Sequence, residues 1–493
     1  MRPTRQHDYF SINVLWFGLS VVSGSITPFI LPYMVAILAP PELKNTYLAQ
    51  ARVAGLAVAM LVQPLAGLFS DHSRLRWGKR RPFIALGVAL DMPFLLLMAL
   101  ASSYPALLLA GMALQLASNI ALGALQGLMP DLVPEDERGR ASGVKSLMEL
   151  LSAAAILPVA RLLDTGNLAA AFGIVALSLA VTAGITLLAV HETPLKQKPT
   201  TPPGPAAWRI VWLTLLFVSV TQGAQRLVHL TGRWLEGRGA LQLAGVSLAG
   251  LAAMAGSIVL GVLGSAWVGL GRAARQHISF IWWVINRLLF LAAAGSIQAF
   301  ALFYLRDVLH VQNAATLTTV LLGIIGIFLA GAALISGYLA DGVLPTPDGA
   351  GLKRRLTGVL TRLARATHLH RLGQRGLLVA AGWMAAAGTG VMLLAQNVPG
   401  LLIGGCIVGA GAGTFWSTNW ALGTELIPHQ QAGRYLGIAN LAGAGAGIVG
   451  AGIGGPMADF INRTQPGLGY TVVFAIYGAL FLLSSLVIRW VKE

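Results

Sequence analysis

Apolar runs of about 20 residues recur along this chain between short polar stretches, and each is long enough to cross the hydrocarbon of a bilayer as a helix. Composition agrees. Of 493 residues, 56% are hydrophobic and 11% charged, and the mean hydropathy is +0.72, whereas about a quarter of a soluble protein is charged. The expectation is an all-α integral membrane protein. A net charge of +16 could suggest a nucleic-acid partner. Placement argues otherwise: roughly 25 of the 34 Lys and Arg fall in segments expected in the cytoplasm, about 8 outside and one within the membrane. No basic domain is left over for a polyanion. Cys406 is the only cysteine, which excludes disulfides within the chain and cysteine-based metal sites. The first ten residues are polar and the run after them is too long for a signal-peptide core, so the first span is expected to be retained.

Six runs come first, near Ser11–Leu38, Gln50–Phe69, Phe83–Ala101, Pro105–Met129, Ala141–Leu163 and Leu168–Val190. They return the chain to the side on which it began. His191–Pro205, with five prolines and two lysines, then reads as a solvated linker. Six more runs follow later, near Ile278–Tyr304, Thr316–Ala340, Leu377–Ala395, Gly400–Gly423, Tyr435–Phe460 and Tyr470–Trp490. Between the two sets lie Trp208–Leu230 and Leu241–Leu270. If both cross, the halves share one orientation and the spans number about fourteen. One span plus an interfacial segment is the alternative, because Arg226, His229, Arg233, Glu236 and Arg238 crowd the link. An odd number would turn Arg354, Arg355 and Arg375 outward, against the retention of positive charge inside. The expected division is 1–190 for the first six-helix half, 191–277 for linker and inserted pair, and 278–493 for the second half.

The polar stretch between the second and third runs, Gly67–Phe83, carries Asp71 and five basic residues, Arg74, Arg76, Lys79, Arg80 and Arg81, before Pro82 opens the next run. Basic residues between closely spaced spans mark the cytoplasmic side, which puts both termini in the cytoplasm and the chain in the cell membrane. The ordered Gly67, Asp71, Gly78, Lys79 and Arg80 resemble the signature loop between helices 2 and 3 of the major facilitator superfamily. The fuller pattern, Ser70-Asp71 with Arg76-Trp77-Gly78-Lys79-Arg80-Arg81-Pro82-Phe83, resembles its glycoside and sucrose cation symporters in particular.

Internal repetition supports the resemblance. Gly67 and Asp71 recur as Gly337 and Asp341, and Asp131-Leu132-Val133-Pro134 with Gly139, Arg140 and Gly143 recurs as Glu425-Leu426-Ile427-Pro428 with Gly433, Arg434 and Gly437. The two offsets differ, which places an extra segment in the second half near 350–372. There Leu352, Leu356, Leu360 and Leu363 lie at helical spacing among basic residues. It reads as an amphipathic helix on the anionic inner surface, or as a solvated charged loop. The resemblance implies a fold of two parallel six-helix repeats, here with an inserted central helix pair.

It also implies substrate held near the midplane and exposed alternately by rocking of the halves. In that mechanism Asp71 would dock against the helix start near Gly433 and Arg434, and Asp341 against the one near Gly139 and Arg140. A carboxylate gains about 0.3 to 1 kcal/mol there when exposed and up to about 2 when partly buried. The gating set is then Gly67, Asp71, Gly78, Lys79, Arg80, Arg140, Gly337, Asp341 and Arg434. The alternative is a pair of solvated carboxylates. Eight glycines between Gly437 and Gly455 allow close helix packing or a hinge.

Ionisable groups inside spans are costly and mark function by default. Arg287, beside Asn286, lies near mid-span in the counterpart of the family's cavity-lining helix 7, and is expected in the substrate site or in an ion pair. Asp91 is equally deep in the third span. A structural partner on a neighbouring helix and a role in ion coupling both remain open for it. Glu149, one turn after Lys145, reads as an intrahelical pair. The resemblance further points to Asn13, Trp16, Gln63, Gln115, Asn119, Trp282, Trp283, Gln298, Trp416, Asn419 and Trp420 as cavity residues. Aromatic faces with carboxamides suit the apolar faces and hydroxyl edges of sugars. Trp282 and Trp283, near a helix start, instead suit the membrane interface. Unlike melibiose-type carriers, the first two spans hold no acidic residue; unlike sucrose carriers, the fourth holds no arginine.

The expected function is secondary active transport of a glycoside, sugar or similar polar solute, coupled to a proton or sodium. No cofactor is expected, and the chain is expected to act as a monomer in the lipid bilayer. The alternatives are export of amphiphilic drugs or lipids and a non-transporting receptor or scaffold. No Walker loop, metal-ligand cluster or nucleophile motif is visible, so an enzyme is not expected.

Overall fold

Backbone surrounded by lipid must satisfy its own N–H and C=O groups, which a helix does within one segment. The computed structural model describes residues 6–134, 137–192, 204–340, 373–395, 397–427 and 432–492. Among them, fourteen helices are long and apolar enough to cross a membrane. The first six are α1 (Tyr9–Leu38), α2 (Pro41–Asp71), α3 (Arg81–Ala99), α4 (Tyr104–Leu132), α5 (Arg138–Asp164) and α6 (Leu168–Ala189). The inserted pair is α7 (Ala207–Trp234) and α8 (Ala240–Leu270). The last six are α9 (Ile278–Asp307), α10 (Ala314–Gly337), α11 (Gly373–Leu394), α12 (Val398–Gly423), α13 (Gly443–Asn462, its helix running back to Ala432) and α14 (Leu468–Trp490).

Local chemistry sets the ends and breaks. Pro82, Pro105 and Pro399 sit in the first turns of α3, α4 and α12, where the missing N–H costs nothing. Asn167 and Asn397 cap α6 and α12 through the backbone N–H groups of Ala170 at 3.1 Å and Gly400 at 2.8 Å. α1 widens to a π-turn over Ile26–Ile30, which contains Pro28. The fifth span, expected as one helix, is two segments, Arg138–Leu151 and Ala153–Asp164, meeting at Ser152. The inserted residues form two membrane-length helices joined by the turn at 235–239, where Gly237 and Gly239 take positive φ of 80° and 52°.

The helices pack as two compact units, Met1–Val218 with Ala301–Thr319, and Ser219–Phe300 with Val320–Glu493. In the first, α1 lies against α5 and α6, and α4 against α2 and α3. The same unit holds the end of α9 and the start of α10. There Lys44 Nζ is 2.6 Å from Asp307, and the Asp164 carboxylate accepts from the backbone N–H groups of Ala315 at 3.1 Å and Thr316 at 2.8 Å. In the second, α11 packs on α12 and α14, and α8 on α13 and α14. Close packing explains part of the glycine density in α13: a Cβ on Gly450 would stand 2.6 Å from the Ala292 carbonyl of α9. Large side chains such as Leu188, Leu394 and Trp267 point outward, as lipid-facing surfaces require. The amphipathic segment expected near 350–372, Asp341 and the side chain of Arg434 lie outside the described residues.

Candidate functional site

Three constellations hold most of the described residues singled out above. The first is the loop after α2. Gly78 takes φ +104°, and a Cβ there would come within 2.4 Å of the Glu192 side chain, so the turn needs glycine on both counts. The Arg80 guanidinium is buried against Gly127 of α4. It donates to Asp131 at 2.9 Å, to Ser70 at 2.6 Å and to Asp71. Lys79 Nζ is 2.9 Å from Asp131 and 3.9 Å from Asp71. Glu192 accepts from the backbone N–H groups of Arg80 at 2.9 Å and Arg81 at 2.8 Å, fixing the start of α3.

One loop thus ties α2, α3, α4 and the residues after α6 into one piece. Asp71, Lys79 and Arg80, expected at a gate, find their partners here inside their own unit. Asp131 and Glu192 complete the network and were not anticipated as partners, although the repetition around Asp131 had marked its position. Gly67 contributes its carbonyl, 3.3 Å from Arg80 Nη1. Arg140 is exposed, and Gly337 faces Ser417 of α12.

The second constellation is a cavity of about 250 Å³ in the first unit, lined by Trp16, Ser23, Gln115, Ser118, Asn119 and Glu149 among others. The Asn119 amide donates to the Gln115 carbonyl oxygens of backbone and side chain at 2.7 and 3.0 Å, which fixes both. Lys145 lies over the Trp16 ring, 3.9 Å from its centroid, and 3.5 Å from Glu149, the pair expected from their spacing. A smaller neighbouring cavity shares Gln115 and adds Arg52. Arg52 was missed; roughly three turns into α2, its place in an apolar run was the available signal. Asn13 joins α1 to α5 instead, donating to the carbonyls of Tyr9 at 2.8 Å and Ala141 at 3.2 Å. Gln63 lines neither cavity. Asp91, fully buried on α3, accepts from Ser118 Oγ at 2.7 Å.

The third lies in the second unit around Arg287. Its Nη1 donates to Asn419 Oδ1 at 2.9 Å; Asn419 donates to Asn286 at 3.2 Å, and Asn286 to the Ser484 hydroxyl at 2.8 Å. The guanidinium carbon lies 5.8 Å from the Trp283 ring and 5.4 Å from the Trp420 ring, within reach of both π faces. Its Nε is buried without a partner, and no carboxylate pairs with it among the described residues. Trp283, expected at the membrane interface, is fully buried, with its indole N–H on the Asn419 carbonyl at 2.9 Å. Trp282 stays near the helix end, 4.5 Å from the Trp490 ring. Trp416 and Trp420 are exposed, as is Gln298. Asn419 is fully buried and spends both amide atoms on Arg287 and Asn286, so it orients the arginine.

Fourteen membrane-length helices among the described residues define a multi-pass membrane protein. The sequence profile of the Major Facilitator Superfamily matches residues 14–363, and the chain belongs to that superfamily. Its fold is similar to the POT family transporter PepTSo, with a TM-score of 0.67 at 12% identity over 99% of this chain and 98% of that one. It is also similar to the nucleoside transporter NupG, at 0.59 and 14% over 98% and 100%, and to a D-xylose-proton symporter, at 0.59 and 14% over 98% and 97%.

Proposed function

We propose that this chain is a secondary active transporter of a small polar organic solute, a glycoside or sugar, working by alternating access and coupled to a proton or sodium. The observation that carries the reading is Arg287. A planar guanidinium braced by Asn419, backed by the buried Trp283 and lying beside the exposed Trp420, offers donors for hydroxyl oxygens and one indole face for the apolar side of a sugar ring. The loop resembling glycoside and sucrose cation symporters supports the same substrate class. In this reading the chain resides in the cell membrane with both termini cytoplasmic. Gly67, Asp71, Gly78, Lys79, Arg80, Arg140, Gly337, Asp341 and Arg434 serve the cytoplasmic gate.

A thermal-shift screen of the purified protein against sugars, amphiphiles and lipids tests the proposal. A sugar or glycoside should raise the unfolding temperature of the wild type, and at the same concentration raise that of Arg287→Lys much less. Stabilisation by amphiphiles or lipids alone would replace it with export of such compounds. Binding without uptake into proteoliposomes would replace it with a receptor.

A further inference from the structure

We propose that Asp91, linked through Ser118 to the cavity of the first unit, is the proton-binding site of this protein; the coupling role rests on the transport reading above. Asp91 lies about 15 Å along α3 from Arg81, near mid-span. It is 0% exposed. Ser118 Oγ donates to Oδ1 at 2.7 Å, while Oδ2 is buried without a hydrogen-bond partner. α3 packs on α4 and α6. The described part of α6 carries no ionisable residue. α4 carries only Tyr104 at one end and Asp131 at the other, where Lys79 and Arg80 engage it. Arg81, on α3 itself, stands at the helix start and donates to the Leu187 carbonyl.

No cation therefore faces Asp91 from its own helix or from those packed on it. Burial disfavours the charged form, and a single hydroxyl cannot offset it. Taking up one proton removes the charge. A metal cation would need more oxygen ligands than Asp91 and Ser118 supply.

The same hydroxyl supplies the path. Ser118 lines the cavity beside Gln115 and Asn119, and a serine hydroxyl both donates and accepts. With Asp91 ionised it donates to Oδ1. With Asp91 protonated it can accept from the acid and turn its own hydrogen toward the cavity. One proton enters or leaves the carboxyl, and the direction of the Ser118 hydrogen beside Gln115 and Asn119 changes with it. Glu149 lines the same cavity but is partly exposed and already paired with Lys145 at 3.5 Å.

Infrared difference spectra of the protein in liposomes, acid minus alkaline, test the site without any solute. The expected result is the carbonyl stretch of a protonated carboxylic acid, absent from Asp91→Asn and shifted in frequency in Ser118→Ala. A spectrum that Asp91→Asn leaves unchanged overturns the proposal. If that variant does not fold, an unshifted band in Ser118→Ala overturns it. The coupling arm uses radiolabelled sucrose in proteoliposomes under an inward gradient of one pH unit, where one-to-one coupling accumulates about tenfold. Asp91→Asn should exchange sucrose across the membrane but not accumulate it. Accumulation equal to wild type also overturns the proposal, whereas no sucrose flux in the wild type counts against the sugar reading and leaves the infrared result to decide the site.

Discussion

Arg287 shows how one residue binds several others to a purpose. An arginine keeps its proton and must find oxygens, water or π faces wherever it is placed. Here it takes Asn419 and two indoles and keeps Nε free. Arg287→Lys should preserve expression yet lose about tenfold or more in affinity for a stabilising solute, because the planar fork is gone while the charge stays. Titration of the thermal shift with that solute checks this. Asn419→Ala should cost about 1 to 3 kcal/mol of stability by leaving Arg287 and Asn286 short of a partner each. Thermal unfolding in detergent would show it, and a neutral result would mean that water substitutes readily. Asp91 finds Ser118 within its own unit. Asp91→Ala and Arg287→Ala, which share no partner here, should therefore lose stability additively when combined.

At the scale of elements, charges are spent on holding helix ends. The loop after α2 meets Asp131 on α4 and Glu192 after α6, which lie 51 and 112 residues from Arg80. Asp131 serves both Lys79 and Arg80, whereas Asp71 is half exposed. Asp131→Ala should therefore destabilise the detergent-solubilised protein more than Asp71→Ala, by about 1 to 2 kcal/mol; equal losses would contradict the network. Carboxylates were expected to dock on helix starts at Asp71 and Asp341. Asp164 does so, on the first turn of α10. Asp164→Asn keeps one acceptor and loses the charge, and should cost about 1 kcal/mol in unfolding measurements.

For the whole molecule, the even number of spans rests on the α7–α8 hairpin. Cysteines at Arg238 and Gln276 in a Cys406→Ala background should label from opposite sides of the membrane. Both positions are exposed. Labelling from one side would remove the fourteen-span topology. The spans, the inserted pair and the family were legible in the sequence because hydropathy and glycine-punctuated loop chemistry are local along the chain. Arg287 and Asp91 stood out for the same reason, as charges within apolar runs. Partners were not legible. That Trp283 turns inward to a carbonyl, that Asn419 backs an arginine, that Arg52 enters a cavity and that Ser118 meets Asp91 all depend on which faces of distant helices come together. Helix formation in lipid is decided segment by segment, whereas helix rotation and neighbour choice are settled by packing between segments. The first is written in composition and spacing, and only the tertiary structure decides the second.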